Sequence, residues 1–167
     1  MRRAFSLVEL MISIVILSIL MLFLYQSYSG LNKSNRLLGE QVDTIEKISK
    51  IKRVLYLDVM LAKSVKILSQ DNEEDVLFLL TRNSVHDRIN PYVAYVLKEQ
   101  TLYRLESLKE FVEYPLAADS EFVADMLGAV DSFRVYPSKE TKSNTYLVHT
   151  VFKEGEEILF KVKNLNQ

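Results

Sequence analysis

Glu9 is the only charged residue between Arg3 and Lys33. It lies near the start of an apolar run, Phe5 to Tyr25, where an ionised carboxylate costs several kcal/mol in hydrocarbon. A carboxylate kept there implies a cation that meets it. Two other clusters could do chemistry. Asp71, Glu73, Glu74 and Asp75 crowd four acids into five residues, a composition that suits calcium. The run lacks the glycine and the distal glutamate of a calcium loop, and reads instead as a solvated tip between apolar runs. His86 beside Asp87 could form a dyad or a metal pair, but within Asn83-Ser84-Val85-His86-Asp87-Arg88 a solvated turn is the better reading. His149, between Val148 and Thr150, reads as structural.

Other chemistry is excluded or not supported. Cysteine is absent, which removes disulfides, thiolate nucleophiles and cysteine metal sites. With four glycines there is no phosphate-cradling loop, and no G-x-S-x-G nucleophile motif occurs. The 21 basic and 22 acidic side chains nearly balance, and no basic stripe stands out. Nucleic acid is therefore not an expected partner. No catalytic cluster, cofactor or metal is expected.

The element that positions Glu9 is a helix. Phe5 to Tyr25 would span roughly 31 Å, about the thickness of a bilayer's hydrocarbon core. Arg2 and Arg3 precede it, and Lys33 and Arg36 follow. The short basic head favours a cytoplasmic N-terminus with the body outside. A cleaved secretory signal fits poorly, because the run is too long and no small-x-small site follows at Tyr25-Gln26-Ser27-Tyr28-Ser29-Gly30. A plain signal anchor explains everything except Glu9 and the Arg-Arg-Ala-Phe junction.

That junction carries a resemblance. Arg3-Ala4-Phe5-Ser6-Leu7-Val8-Glu9-Leu10 before an apolar helix resembles the class III signal of type IV pilins and pseudopilins. The resemblance implies that a membrane prepilin peptidase cuts between Ala4 and Phe5 on the cytoplasmic side. It then methylates the new N-terminus, leaving N-methylphenylalanine at Phe5. Ala4 stands where the family usually has glycine. Glu9 falls where the family has its glutamate. In a staggered filament the amine of one chain can meet the acid of its neighbour, so that two costly charges neutralise each other. Loss of Arg2 and Arg3 would leave 19 basic against 22 acidic side chains.

Nothing forces the helix to stop at the membrane surface, since no proline precedes Pro91. Leu38, Val42, Ile45, Ile48, Leu55, Val59, Ala62 and Val65 continue a helical stripe, with charged residues between them. The spacing predicts one helix from about Phe5 to about Leu68, with a bend near Gly30. Six strands follow. Val76–Thr81 is a continuous apolar run of buried-strand length. Tyr92–Leu97 and Leu102–Glu106 flank the turn Lys98-Glu99-Gln100-Thr101. Phe133–Tyr136 is short, and Tyr146–Phe152 and Ile158–Val162 form a hairpin around Gly155. Leu116 to Ala129 reads as a helix. The fold class is α+β, a long N-terminal helix packed on an antiparallel sheet.

Several further features resemble J-type minor pseudopilins of type II secretion and related minor pilins. They are Leu57-Asp58 with Ala62, Phe78-Leu79-Leu80-Thr81, Val93-Ala94-Tyr95-Val96-Leu97 and Leu102-Tyr103-Arg104, followed by Phe133-Arg134-Val135 and the terminal hairpin. The resemblance implies a leader (1–4), an assembly and transmembrane half-helix (5–32) and a pilin-like head (33–167). It implies a single-pass protein of the bacterial inner membrane whose head lies in the periplasm. The expected partners are the prepilin peptidase, other major and minor subunits, and inner-membrane lipid. Two rivals are a minor pilin of a type IV pilus or DNA-uptake machine, and a membrane-anchored envelope sensor or binding module.

Overall fold

The computed structural model describes residues 7–70, 74–116, 121–138, 144–153 and 155–166. The chain forms two compact units, Met1–Glu46 and Lys47–Gln167, and one helix, α1 (Leu7–Met60), contributes to both. In the first unit the described side chains of residues 7–39 are all exposed, including the apolar ones from Leu7 to Leu24. This part of α1 is long and apolar enough to cross a membrane. Gly30 and Gly39 both lie within the helix, so the glycines do not end it.

The second unit is a seven-stranded antiparallel meander in simple order. Its strands are β1 (Ala62–Ser69), β2 (Asp75–Thr81), β3 (Tyr92–Lys98), β4 (Thr101–Ser107), β5 (Val123–Pro137), β6 (Thr145–Phe152) and β7 (Glu157–Lys163). Ile51, Leu55 and Val59 of α1 pack on one sheet face, against Leu77, Tyr95, Leu102, Phe133 and Val148 among others. The stripe read from the sequence is thus covered from Ile48 onward, whereas Leu38, Val42 and Ile45 are exposed. On the opposite sheet face Val76, Phe78, Ala94, Val96 and Leu105 pack around Phe111, which follows β4 in the chain. Burial on both faces explains why Val76–Leu80 reads as unbroken apolar sequence.

Two expectations are corrected. The helix ends at Met60, not near Leu68, and Ala62–Ser69 is the edge strand β1. The apolar spacing runs on through Ala62 and Val65, but the helix is capped from far away. Asn164 Nδ2 donates to the carbonyls of Val59 and Ala62, each at 2.9 Å, and Leu165 N–H donates to Met60 O at 3.0 Å. These bonds satisfy the carbonyls that a helix C-terminus leaves open. Beyond that cap Val65 and Ile67 alternate into the core.

The second correction is the expected helix at Leu116–Ala129. Residues 117–120 lie outside the described residues, and Val123 onward is β5, a strand of 15 residues. Its first part pairs with β4 and its second with β6. Pairing of residues 123–129 with β4 outweighs a weak helical pattern. Gly128, at φ +153°, lies where a Cβ would come within 3.3 Å of the Phe152 ring. The two expected hairpins are present. Glu99 and Gln100, with φ of 51° and 59°, make a two-residue primed turn. Gly155 sits at φ 87° between β6 and β7.

Leu55 is fully buried and Leu38 is 56% exposed. Leu55→Ala is expected to destabilise the detergent-solubilised chain by about 2–5 kcal/mol. Leu38→Ala should stay within ~0.5 kcal/mol. Denaturant melts of the two variants measure the contrast.

Candidate functional site

The sequence singles out the N-terminal junction first. Ala4 and Phe5 lie outside the described residues. Glu9 occupies the first turn of α1, where the positive end of the helix dipole favours an acid. Its backbone carbonyl accepts a hydrogen bond from Ser13 Oγ at 2.8 Å, and Ser18 Oγ donates likewise to Ile14 O at 2.8 Å. Ser13 and Ser18 thus bond back onto the helix, which suits a segment surrounded by hydrocarbon.

The second constellation lies in the head, and the sequence names its parts without joining them. Asp58 comes from the last turns of α1, Tyr95 from β3, and Arg104 and Glu106 from β4. All four are at most 1% exposed. Leu102, Arg104 and Glu106 alternate onto one face of β4, so strand period alone turns the two charged residues inward. Arg104 Nε donates to Asp58 Oδ2 at 2.8 Å and Nη1 donates to Glu106 Oε2 at 2.6 Å. Tyr95 O–H donates to the same Asp58 Oδ2 at 2.6 Å.

This core holds the loop between β2 and β3. Asn83 Nδ2 donates to Asp58 Oδ1 at 2.7 Å. Ser84 Oγ donates to Glu106 Oε1 at 2.6 Å, and Val85 N–H donates to Glu106 Oε2 at 3.1 Å. Arg88 Nη1 donates to Glu106 O at 3.1 Å. His86 pairs with Asp125 of β5 at 2.9 Å, not with its neighbour Asp87. The expected solvated turn is therefore a tethered loop.

Electrostatics follow from this packing. Burial pushes the Tyr95 phenol well above its usual value, and the Asp58 charge adds to that, so the phenol stays a donor. Burial opposes the Arg104 charge, but the hydrogen bond and charge of Asp58 more than offset it and hold the guanidinium protonated. Burial pushes the Glu106 carboxyl up, yet hydrogen bonds from Ser84, Arg104 and the Val85 N–H outweigh it and leave it below its usual value. The carboxylate oxygens are occupied by donors of the chain itself. The arrangement acts as a lock.

The remaining candidates are quickly placed. Residues 71–73 of the acidic turn lie outside the described residues. Asp75 is buried at the start of β2, where it accepts from Val135 N–H at 2.8 Å and pairs with Arg134 at 3.3 Å. Among the described residues no three His, Cys, Asp or Glu side chains are grouped to hold a metal ion. His149 pairs with Glu157 across β6 and β7 at 2.9 Å.

Residues 1–25 match a family described as the prokaryotic N-terminal methylation motif. No curated protein matches the chain. The motif is a class III signal, and together with a long apolar N-terminal helix it supports anchoring of the chain in a membrane by its N-terminus. The helix followed by an antiparallel sheet is consistent with a type IV pilin-like fold. Motif and fold support a type IV pilin-like subunit that undergoes prepilin processing and assembles with other pilin subunits.

Two measurements test the lock. Arg104→Met leaves Asp58 and Glu106 buried without their cation, and should cost about 3–5 kcal/mol. Adding Asp58→Leu should recover part of that loss, which a double-mutant cycle in urea would read. The second test is pH. Glu106 has a folded value below its unfolded one, so its contribution is fully present above the usual 4.5 and is lost as pH falls through the lower folded value. The stability gap between wild type and Glu106→Gln should therefore be widest above pH 4.5 and shrink on acidification, in denaturant melts run at descending pH.

Proposed function

We propose that this chain is a minor pseudopilin, inserted in the bacterial inner membrane with its head in the periplasm. It assembles into a periplasmic pseudopilus or its tip complex for type II secretion, and has no enzymatic role. The observation that carries this reading is the junction Arg3-Ala4-Phe5 with Glu9 in the first turn of a membrane-length helix. A plain anchor needs neither the junction nor the acid.

The mechanism has two steps. A prepilin peptidase cuts between Ala4 and Phe5 and methylates the Phe5 amine. Alanine is small enough to stand in for the usual glycine before the cut. The helix then leaves lipid for the company of other subunits' helices. Lipid is as apolar as the side chains it releases, so the gain comes from packing and from polar pairing. The Phe5 amine of one subunit and the Glu9 carboxylate of its neighbour form that pair and set the register. The order of elements in the head resembles that of J-type subunits, which supports a minor role near the filament tip. A minor pilin of a type IV pilus or DNA-uptake machine would share every step, and the genes beside this one discriminate between them.

Intact mass tests the first step. Co-expression with a prepilin peptidase should remove residues 1–4 and add one methyl group. A mature chain still beginning at Met1 would favour an anchored envelope domain instead. Glu9→Ala tests the second step. It should be processed normally, yet co-purify poorly with partner subunits; undiminished co-purification would refute the amine–acid pairing.

A further inference from the structure

We propose that the loop joining β2 and β3, residues 82–91, is the arm by which the head docks on the head of a neighbouring pilin-like subunit. Ile89 and Val85 would seat in an apolar socket there. This rests on the assembly reading above. Ile89 is 86% exposed and Val85 48%. An exposed isoleucine on a slack loop would mean little. This loop is held. Besides the bonds to Asp58 and Glu106, Ser84 Oγ accepts from the N–H groups of His86 at 3.1 Å and Arg88 at 2.7 Å. Asn83 N–H donates to Thr81 Oγ1 at 3.1 Å, and Thr81 N–H to Pro91 O at 3.1 Å. Asp87 and Asn90 sit at φ 56° and 48°, so the chain turns sharply on either side of Arg88 and Ile89.

Stability alone does not call for this construction. A buried ion network is seldom worth more than apolar packing of the same volume, whereas it fixes one arrangement. The arrangement fixed here is that of a loop with an apolar tip. A tip ordered in advance loses little entropy on binding. Beside it lies a cleft of about 520 Å³ lined by Arg88, Leu108, Lys109, Glu121 and Phe122. Leu108 is 66% exposed and Phe122 41%, and Lys109 and Glu121 form an ion pair at 3.3 Å on the same cleft. Apolar anchors within a charged rim are the anatomy of a protein interface.

The chain has no cysteine, so Ile89→Cys creates a unique attachment point. The full chain would be co-expressed with a prepilin peptidase and the pilin-like subunits encoded beside it. The introduced thiol would be labelled with benzophenone maleimide in isolated membranes and irradiated. The expected product is an adduct with the head of one of those subunits. Ile89→Asp should reduce co-purification with that subunit at least tenfold, equivalent to about 1.4 kcal/mol, with processing and melting unchanged. Ser84→Ala keeps Ile89 but loosens the arm, and should weaken co-purification roughly two- to tenfold. Adducts with lipid alone, or wild-type co-purification of Ile89→Asp from correctly processed chains, would overturn the docking arm and leave the assembly reading intact. Chains that remain unprocessed would overturn both.

Discussion

The pairing of Arg104 with Asp58 is the constraint around which the head is organised. It joins the end of α1 to β4 in the buried interior, and Tyr95 of β3 completes it. Asp58 thus ties the end of α1 to both strands of the β3–β4 hairpin. Apolar packing of Leu55 and Val59 on the sheet supplies the bulk of the burial, but such packing tolerates sliding more readily than a charge pair does. The ion pair admits one position of this turn of the helix along the strands. Glu106 then extends the same guanidinium's reach to the loop after β2.

Closure of the head depends on a second set of long-range bonds. Asn164 caps the end of α1 with a side-chain amide, so the residue after β7 stops the helix that precedes β1. Asp75, at the start of β2, accepts from the backbone of Val135 late in β5. An isolated parallel bridge between Glu74 and Phe133 lies beside it. These ties bring parts of a simple meander together that strand pairing alone leaves apart. They also explain why Asp75, one of the four acids of the turn, is buried.

How much of this is legible in the sequence follows from the range of each signal. Five strands and two turns announce themselves locally, through apolar runs, alternation, and Gly155 or the Lys98–Thr101 tetrad. β1 does not, because Ala62 and Val65 satisfy helical spacing as well as strand spacing, and the deciding cap comes from Asn164. β5 is half visible: Phe133–Tyr136 reads as strand, while Val123–Ala129 mimics a helix until β4 claims it. Asp58 and Arg104 both stand out, yet nothing in a single sequence pairs residues 46 positions apart. His86 reads as part of a solvated turn for the same reason, since the acid it meets, Asp125, lies 39 positions away. The N-terminal junction is legible as a motif, because its chemistry depends on order and spacing within ten residues.

The two ends of the chemistry obey one rule in different solvents. A carboxylate removed from water must find a cation or strong donors, or it destabilises whatever holds it. Asp58 and Glu106 meet that requirement within their own chain, and the result is a fixed loop. For Glu9 the proposed cation is the amine that the family's cut would free at Phe5 of a neighbouring subunit, so the same requirement would be met between chains.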